Sequence, residues 1–147
     1  MLVLLLILVV GCTQISKEQS ALKSYLEEKG YRVLSYEGRV DSYQLTKQKI
    51  VTLPHMIYWG LQTVDPSNYF GKTVYVEKFT VKNHPLAQGK VEVYVYVVDG
   101  KPFGGTSNPS GEELMGGYWS LEGKTLEEIQ LKPFQEWQHD WLKTYSN

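Results

Sequence analysis

The sequence predicts an α+β fold: an antiparallel sheet of about four to five strands, packed by an N-terminal and a C-terminal helix. Three stretches carry this expectation. Lys90–Val98 alternates strictly, with Val91, Val93, Val95 and Val97 on one side and Glu92, Tyr94 and Tyr96 on the other, as a half-buried strand requires. Asp99-Gly100 follows at once, the dipeptide favoured in a tight type I′ hairpin. At the C-terminus, Phe134, Trp137, Trp141 and Tyr145 recur at helical spacing and form one aromatic face, a pattern that belongs to a core far more often than to a ligand site.

The remaining elements follow in order. Ser16 is placed to cap a helix over Lys17–Lys29, with Ala21, Leu22, Tyr25 and Leu26 on one face and Gly30 as the stop. Tyr31–Glu37 reads as a strand, Gly38 as a break, and Arg39–Leu45 as a second, more polar strand whose apolar members are out of phase. Thr46 suits the cap of a short helical turn over Lys47–Val51. Thr52 suits the cap of another that opens near Pro54 and carries apolar Met56, Ile57, Trp59 and Leu61.

Asp65-Pro66-Ser67-Asn68 is a turn signal. Lys72–Lys82 is a long strand whose apolar phase changes between Val74/Val76 and Phe79/Val81; a β-bulge near Glu77–Lys78 would reconcile its halves. Pro102 points to an edge or late-starting return strand. Gly104–Gly117, rich in Gly, Ser, Asn and Pro, reads as a loop. Tyr118–Leu121 is a last short strand, Thr125-Leu126-Glu127-Glu128 fits a capping box, and Pro133 opens the closing helix.

The first dozen residues give the address. Leu2–Val10 is unbroken apolar sequence, shorter than the roughly 20 residues of a membrane span and suited to the hydrophobic region of a secretory signal. Its end, Val9-Val10-Gly11-Cys12, resembles the bacterial lipobox, in which a small residue precedes a cysteine that receives a lipid before cleavage. The expected organisation is a lipoprotein-type signal peptide over 1–11, a lipidated tether over 12–20 and one domain over 21–147, with cleavage between Gly11 and Cys12 and lipid on Cys12. No Lys or Arg precedes the run. Either the N-terminal amine supplies the positive charge or the true start lies upstream, and an uncleaved N-terminal anchor is the alternative form of tethering. The implied partner is the membrane, reached through that lipid, on the extracytoplasmic face of the cell membrane.

Charge and motifs narrow the function classes. A formal net charge of −1 offers no basic stripe for nucleic acid and no polybasic membrane patch. Cys12 is the only cysteine, so packing rather than disulfides must hold the domain, and eleven Tyr and four Trp supply much of it. No paired cysteine or H-E-x-x-H occurs, so no metal or other cofactor is expected.

His139 with Glu136 and Asp140 reads as a solvated helix face. His84 before Pro85 suits a backbone cap, and His55 beside Met56 a boundary position. The Gly104–Asn108 run does not match G-x-S-x-G, and Glu112-Glu113 and Glu127-Glu128 are adjacent pairs that do not face each other. No catalytic residue is assigned. The candidate binding surface is aromatic: Tyr94, Tyr96 and Trp119. The expected function is a binding or structural module at the cell surface, with its protein or envelope partner unidentified; the alternative is a cell-envelope hydrolase whose site the fold assembles.

Tyr31–Gly38, Tyr58-Trp-Gly-Leu-Gln62, Asp65-Pro66, Gly71-Lys72, Val81–Leu86 and Leu121–Glu128 together resemble small uncharacterised lipoproteins of Gram-positive, spore-forming bacteria that carry a domain of unknown function. The resemblance spans roughly Ala21–Tyr145. It implies cell-surface placement and a lipid on Cys12, and it assigns no catalytic residue.

Overall fold

In a computed structural model, which describes residues 16–110 and 117–147, five antiparallel strands form one sheet and five helices pack on it. Gly11 and Cys12 lie outside the described residues. The chain runs α1 (Lys17–Glu28), β1 (Arg32–Gln44), α2 (Lys47–Ile50), α3 (His55–Gly60), a 3₁₀ turn (Pro66–Tyr69), β2 (Thr73–Lys82), β3 (Val91–Val98), β4 (Lys101–Pro109), β5 (Trp119–Ser120), α4 (Leu126–Gln130) and α5 (Phe134–Tyr145). Spatial order follows sequence order, β1-β2-β3-β4-β5, so every sheet neighbour is also a neighbour in sequence. No helix among the described residues is long and apolar enough to cross a membrane.

The local signals act as expected at the helix starts. Ser16 Oγ accepts from Gln19 N, and Thr46 Oγ1 from Lys49 N. Thr125 and Glu128 close a reciprocal capping box, which satisfies two amides that the first helical turn leaves unpaired. Asp99 and Gly100 have φ of 51° and 73°, the left-handed pair that a type I′ hairpin between β3 and β4 needs.

The sheet is buried on both faces, each over a different part of its length. Val91, Val93, Val95 and Val97, with Phe79 and Val81, pack under Leu22 and Leu26 of α1. The opposite face carries Val74, Val76, Tyr96 and Val98. These pack under Met56 and Trp59 of α3, Leu126 of α4, and Trp137 and Trp141 of α5. Ala21 lies outside this packing, exposed on α1.

This arrangement corrects the expected bulge at Glu77–Lys78. The β2–β3 register runs from Tyr75↔Val97 to Val81↔Val91 without a shift. The apolar phase changes because β2 passes from beneath one helical layer to above the other, and each layer reads a different parity of the same strand.

The irregularity sits in β1 instead. Gly38 does not break the chain; Arg32–Gln44 is one strand with three register shifts against β2. Leu34, Glu37 and Val40 are the residues left without a partner, one after every two pairs. Each extra residue offsets the alternation, which explains the out-of-phase apolar members of the sequence. It also turns Leu34 and Val40 outward, 39% and 49% exposed. A repeatedly bulged outer strand is a poor template for a further strand. Across the β1–β2 pair, the buried Glu77 carboxylate accepts from Tyr36 Oη at 2.7 Å and from Arg39 Nε at 2.6 Å.

A second correction concerns Gly104–Pro109, which is strand rather than loop: β4 pairs along β3 from Val98↔Lys101 to Val91↔Pro109. One shift, at Tyr96/Val97, leaves Phe103 unpaired between Pro102 and Gly104. Phe103 stacks there on Trp59 and Tyr69 at ring-centroid distances of 5.4 and 4.6 Å. On its outer side β4 pairs with β5 only at Thr106 and Ser107, so Pro102 does lie on an edge.

Where β5 is missing, the Gln62 side chain takes its place. Gly105 N donates to Gln62 Oε1 at 2.9 Å, and Gln62 Nε2 donates to Gly105 O at 3.1 Å and to Tyr58 O at 2.7 Å. The primary amide thus completes the backbone pairing of a buried strand. Gly104 leaves the room for it, since a Cβ there would collide with Gln62 Oε1. Gln62→Leu strips both Gly105 groups of partners, at a cost of about 2–4 kcal/mol and roughly 10 °C of melting temperature. Gln62→Glu, which keeps the acceptor but sets a second acceptor against the Gly105 and Tyr58 carbonyls, should lose at least as much. Equal melting temperatures for wild type and Gln62→Leu would contradict this role.

Candidate functional site

Helices α2–α5 cover only part of the Tyr96 face. The part of the face left uncovered carries Lys78, Thr80, Glu92 and Asn108, all partly exposed. Where the layer stops, the sheet and α3 enclose a pocket of about 270 Å³, lined by Val40, Asp41, Tyr43, Tyr58, Val76, Tyr94, Tyr96, Thr106, Asn108 and Tyr118. Each strand contributes for a local reason. The last bulge of β1 brings Val40 and Asp41 to the wall. The alternation of β3 sends Tyr94 and Tyr96 to this face, and cross-strand pairing places Thr106 beside Tyr94. Tyr58 comes from α3, held by the same carbonyl contact to Gln62.

Five tyrosine rings therefore converge. Tyr58 and Tyr118 meet edge to face at 4.8 Å. Tyr43 is fixed from behind: its hydroxyl accepts from Trp59 Nε1 at 3.0 Å, and its ring meets His55 at 4.6 Å. Burial raises the phenols of Tyr58, Tyr94 and Tyr96 above their ordinary value and pushes Tyr43 up to about 12, so all stay neutral at physiological pH. Among the described residues, Asp41, itself exposed, is the one charged residue of the lining. Its Oδ1 accepts from the backbone N of Ser42 at 2.8 Å, and it has no salt-bridge partner among the described residues.

The aromatic residues singled out from sequence part company here. Tyr94 lines the pocket, half-buried. Tyr96 lines it too but is only 3% exposed, so it is a floor residue and no free surface. Trp119 is elsewhere: it pairs with Ser107, which pairs with Val93, and that register puts it on the valine face of the sheet. Its neighbour Tyr118, on the opposite parity, belongs to the pocket. Tyr43, Tyr58, Asp41, Thr106, Asn108 and Tyr118 were not singled out. Only the high tyrosine count hinted at them, and Thr106 and Asn108 fell in sequence read as loop.

The histidines stay out of the pocket. His84 is buried: Nε2 lies 2.8 Å from Leu121 O, and Nδ1 accepts from Leu86 N at 3.1 Å. These partners fix a neutral ring with its proton on Nε2, acting as a backbone clip against Tyr31, whose hydroxyl also donates to Leu121 O. His55 is wedged edge-on between Tyr43 and Tyr58. His139 is exposed on α5, and the neighbouring Asp140 accepts from Lys132 at 2.7 Å. Among the described residues, no three His, Cys, Asp or Glu side chains gather as metal ligands would.

Compared with known proteins, the chain matches no family model, no curated protein and no solved structure.

Burial holds both His84 and His55 below the ordinary histidine value, with Lys49 adding to the effect at His55. A histidine whose folded pKa is depressed binds its proton more readily in the unfolded chain. Its stabilisation is therefore complete above about pH 6.5 and is lost as pH falls from there toward the folded value. The melting temperature should drop between pH 7 and pH 5, above the range in which the lowered carboxyls of Asp65, Glu128 and Asp140 titrate. The slope should flatten in a His84→Gln, His55→Phe double variant. A slope unchanged in that variant would refute this assignment.

Proposed function

We propose that this protein is a lipid-anchored, extracytoplasmic binding module whose ligand site is the tyrosine pocket. The observation that carries the binding half is the convergence, among the described residues, of five tyrosines and one carboxylate without a salt-bridge partner on a concave opening. Aromatic walls with a few fixed polar groups are the usual make-up of small-ligand sites. Tyr and Trp also give the most contact energy for the least side-chain entropy. The pocket is slightly smaller than those of drug-sized ligands, which favours a small molecule over a peptide.

The lipobox-like Val9–Cys12 and the single cysteine support the anchoring half. Cys12 and the helix cap at Ser16 are four residues apart, a reach of at most about 14 Å. Such a tether keeps the domain against the bilayer surface, within reach of solutes arriving at the membrane.

Growth with an alkyne fatty acid should label the wild-type protein and leave Cys12→Ser unlabelled; an unlabelled wild type would refute the anchor. For the pocket, a fragment screen followed by protein NMR should move resonances of Tyr94, Thr106, Asn108 and Tyr118 together. Hits that leave these four still while shifting residues on the α1 face would place the site elsewhere.

A further inference from the structure

The lining distinguishes among ligand chemistries. An anion would meet the Asp41 carboxylate, with no Lys or Arg among the described lining residues to receive it. A neutral polyol would donate hydroxyls to Asp41, Thr106 and Asn108 but would bring no positive charge to the carboxylate or to the five rings. A cation satisfies every feature at once. Ring faces attract it, Asp41 stands unpaired beside it, and Val40 and Val76 give an apolar surface to carbon attached to the charge. The same chemistry already operates on the pocket's tyrosines: Lys78 Nζ sits 5.6 Å from the Tyr94 ring centroid and Lys49 Nζ 5.3 Å from that of Tyr43. Lys78 is neutralised by Glu92 at 2.9 Å, and neither lysine enters the lining.

We propose that the pocket binds a small organic cation bearing a quaternary, fully methylated ammonium group, free in solution, held against the Tyr58, Tyr94 and Tyr118 rings with Asp41 as counter-ion. This rests on the pocket being the ligand site. Full methylation matters because a quaternary ammonium ion has no N–H to be satisfied in an aromatic site and carries its charge at every pH. The limited volume argues for a free solute over a lipid headgroup, whose phosphate would also stand close to Asp41.

The test is calorimetric titration of the full-length protein, held in a polyoxyethylene detergent that has neither sugar nor ammonium. The probes are tetramethylammonium and choline. The comparison ligands are 3,3-dimethylbutan-1-ol (the neutral carbon counterpart of choline), glucose and glycerophosphocholine. Saturable binding of both cations is expected, with the neutral alcohol and glucose at least about tenfold weaker and glycerophosphocholine weaker than choline.

Tyr94→Leu should weaken binding about tenfold while Tyr94→Phe, which keeps the ring, stays within about twofold. Asp41→Asn should cost about threefold, less at high salt. Circular dichroism confirms that each variant is folded.

Four results would overturn the inference. Absence of saturable heat for either cation up to about 10 mM is one. Equal losses in Tyr94→Phe and Tyr94→Leu, which would mean that the hydroxyl and not the ring is recognised, is another. Glycerophosphocholine binding tighter than choline would replace the free solute with a headgroup. Preferred binding of the alcohol or of glucose, abolished by Tyr94→Leu, would reject the cation yet leave the pocket standing as the site.

Discussion

The contact on which the rest of the architecture depends is the Gln62 side chain lying against Gly104 and Gly105. A strand buried on both sides must have its N–H and C=O groups paired, and β5 supplies partners to β4 at two residues only. Gln62 supplies the pair at Gly105 from the end of α3. Because both of its amide atoms are committed, the depth and the lateral position of α3 on the sheet are set together. Gly60 sets the next layer, since its missing side chain leaves room for the Trp137 ring and Leu126; Gln130 Nε2 donates to its carbonyl at 2.6 Å. The helical layer is thus fixed over one half of the face, and its rim is where Tyr58 meets the tyrosines of β3.

A sheet of this size has two ways to bury its faces, and this one uses both in part. Helix α1 covers the valine face and the C-terminal helices cover the tyrosine face, offset along the strands. Full cover on one face only would leave the other solvated and polar. Partial cover on both leaves aromatic residues at the margin of a core, where a pocket with apolar walls can stay open to solvent. The bulges of β1 act at the same margin: without the extra residue at Val40, Asp41 would not hold its place on the pocket wall.

Much of the fold was legible from residue pattern alone. The valine alternation of β3, the Asp99-Gly100 hairpin, the caps at Ser16, Thr46 and Thr125, and the Trp137/Trp141 stripe each act through local physics that a sequence displays. What was missed depends on partners distant in sequence. Gly104–Pro109 shows no apolar alternation, because one of its faces is packed by Gln62 rather than by its own side chains; small residues made for a close approach look like loop. The phase change in β2 looks like a bulge unless two separate helical layers are in view. The pocket was half legible. Tyr94 and Tyr96 stand out by periodicity, but Tyr43, Tyr58 and Tyr118 come from three other elements, and a one-residue difference in parity separates Tyr118 in the pocket from Trp119 on the opposite face.

The central claim is that the helical layer ends short and leaves a tyrosine-walled opening. Site-resolved nitration of the native full-length protein, read by mass spectrometry, tests it most directly. Tyr118 is 42% exposed and Tyr94 half-buried, whereas Tyr31 and Tyr96 are 5% and 3% exposed. Tyr94 and Tyr118 should be modified rapidly, with Tyr31 and Tyr96 resistant until the protein unfolds. Protection of Tyr94 and Tyr118 equal to that of Tyr31 would contradict the claim.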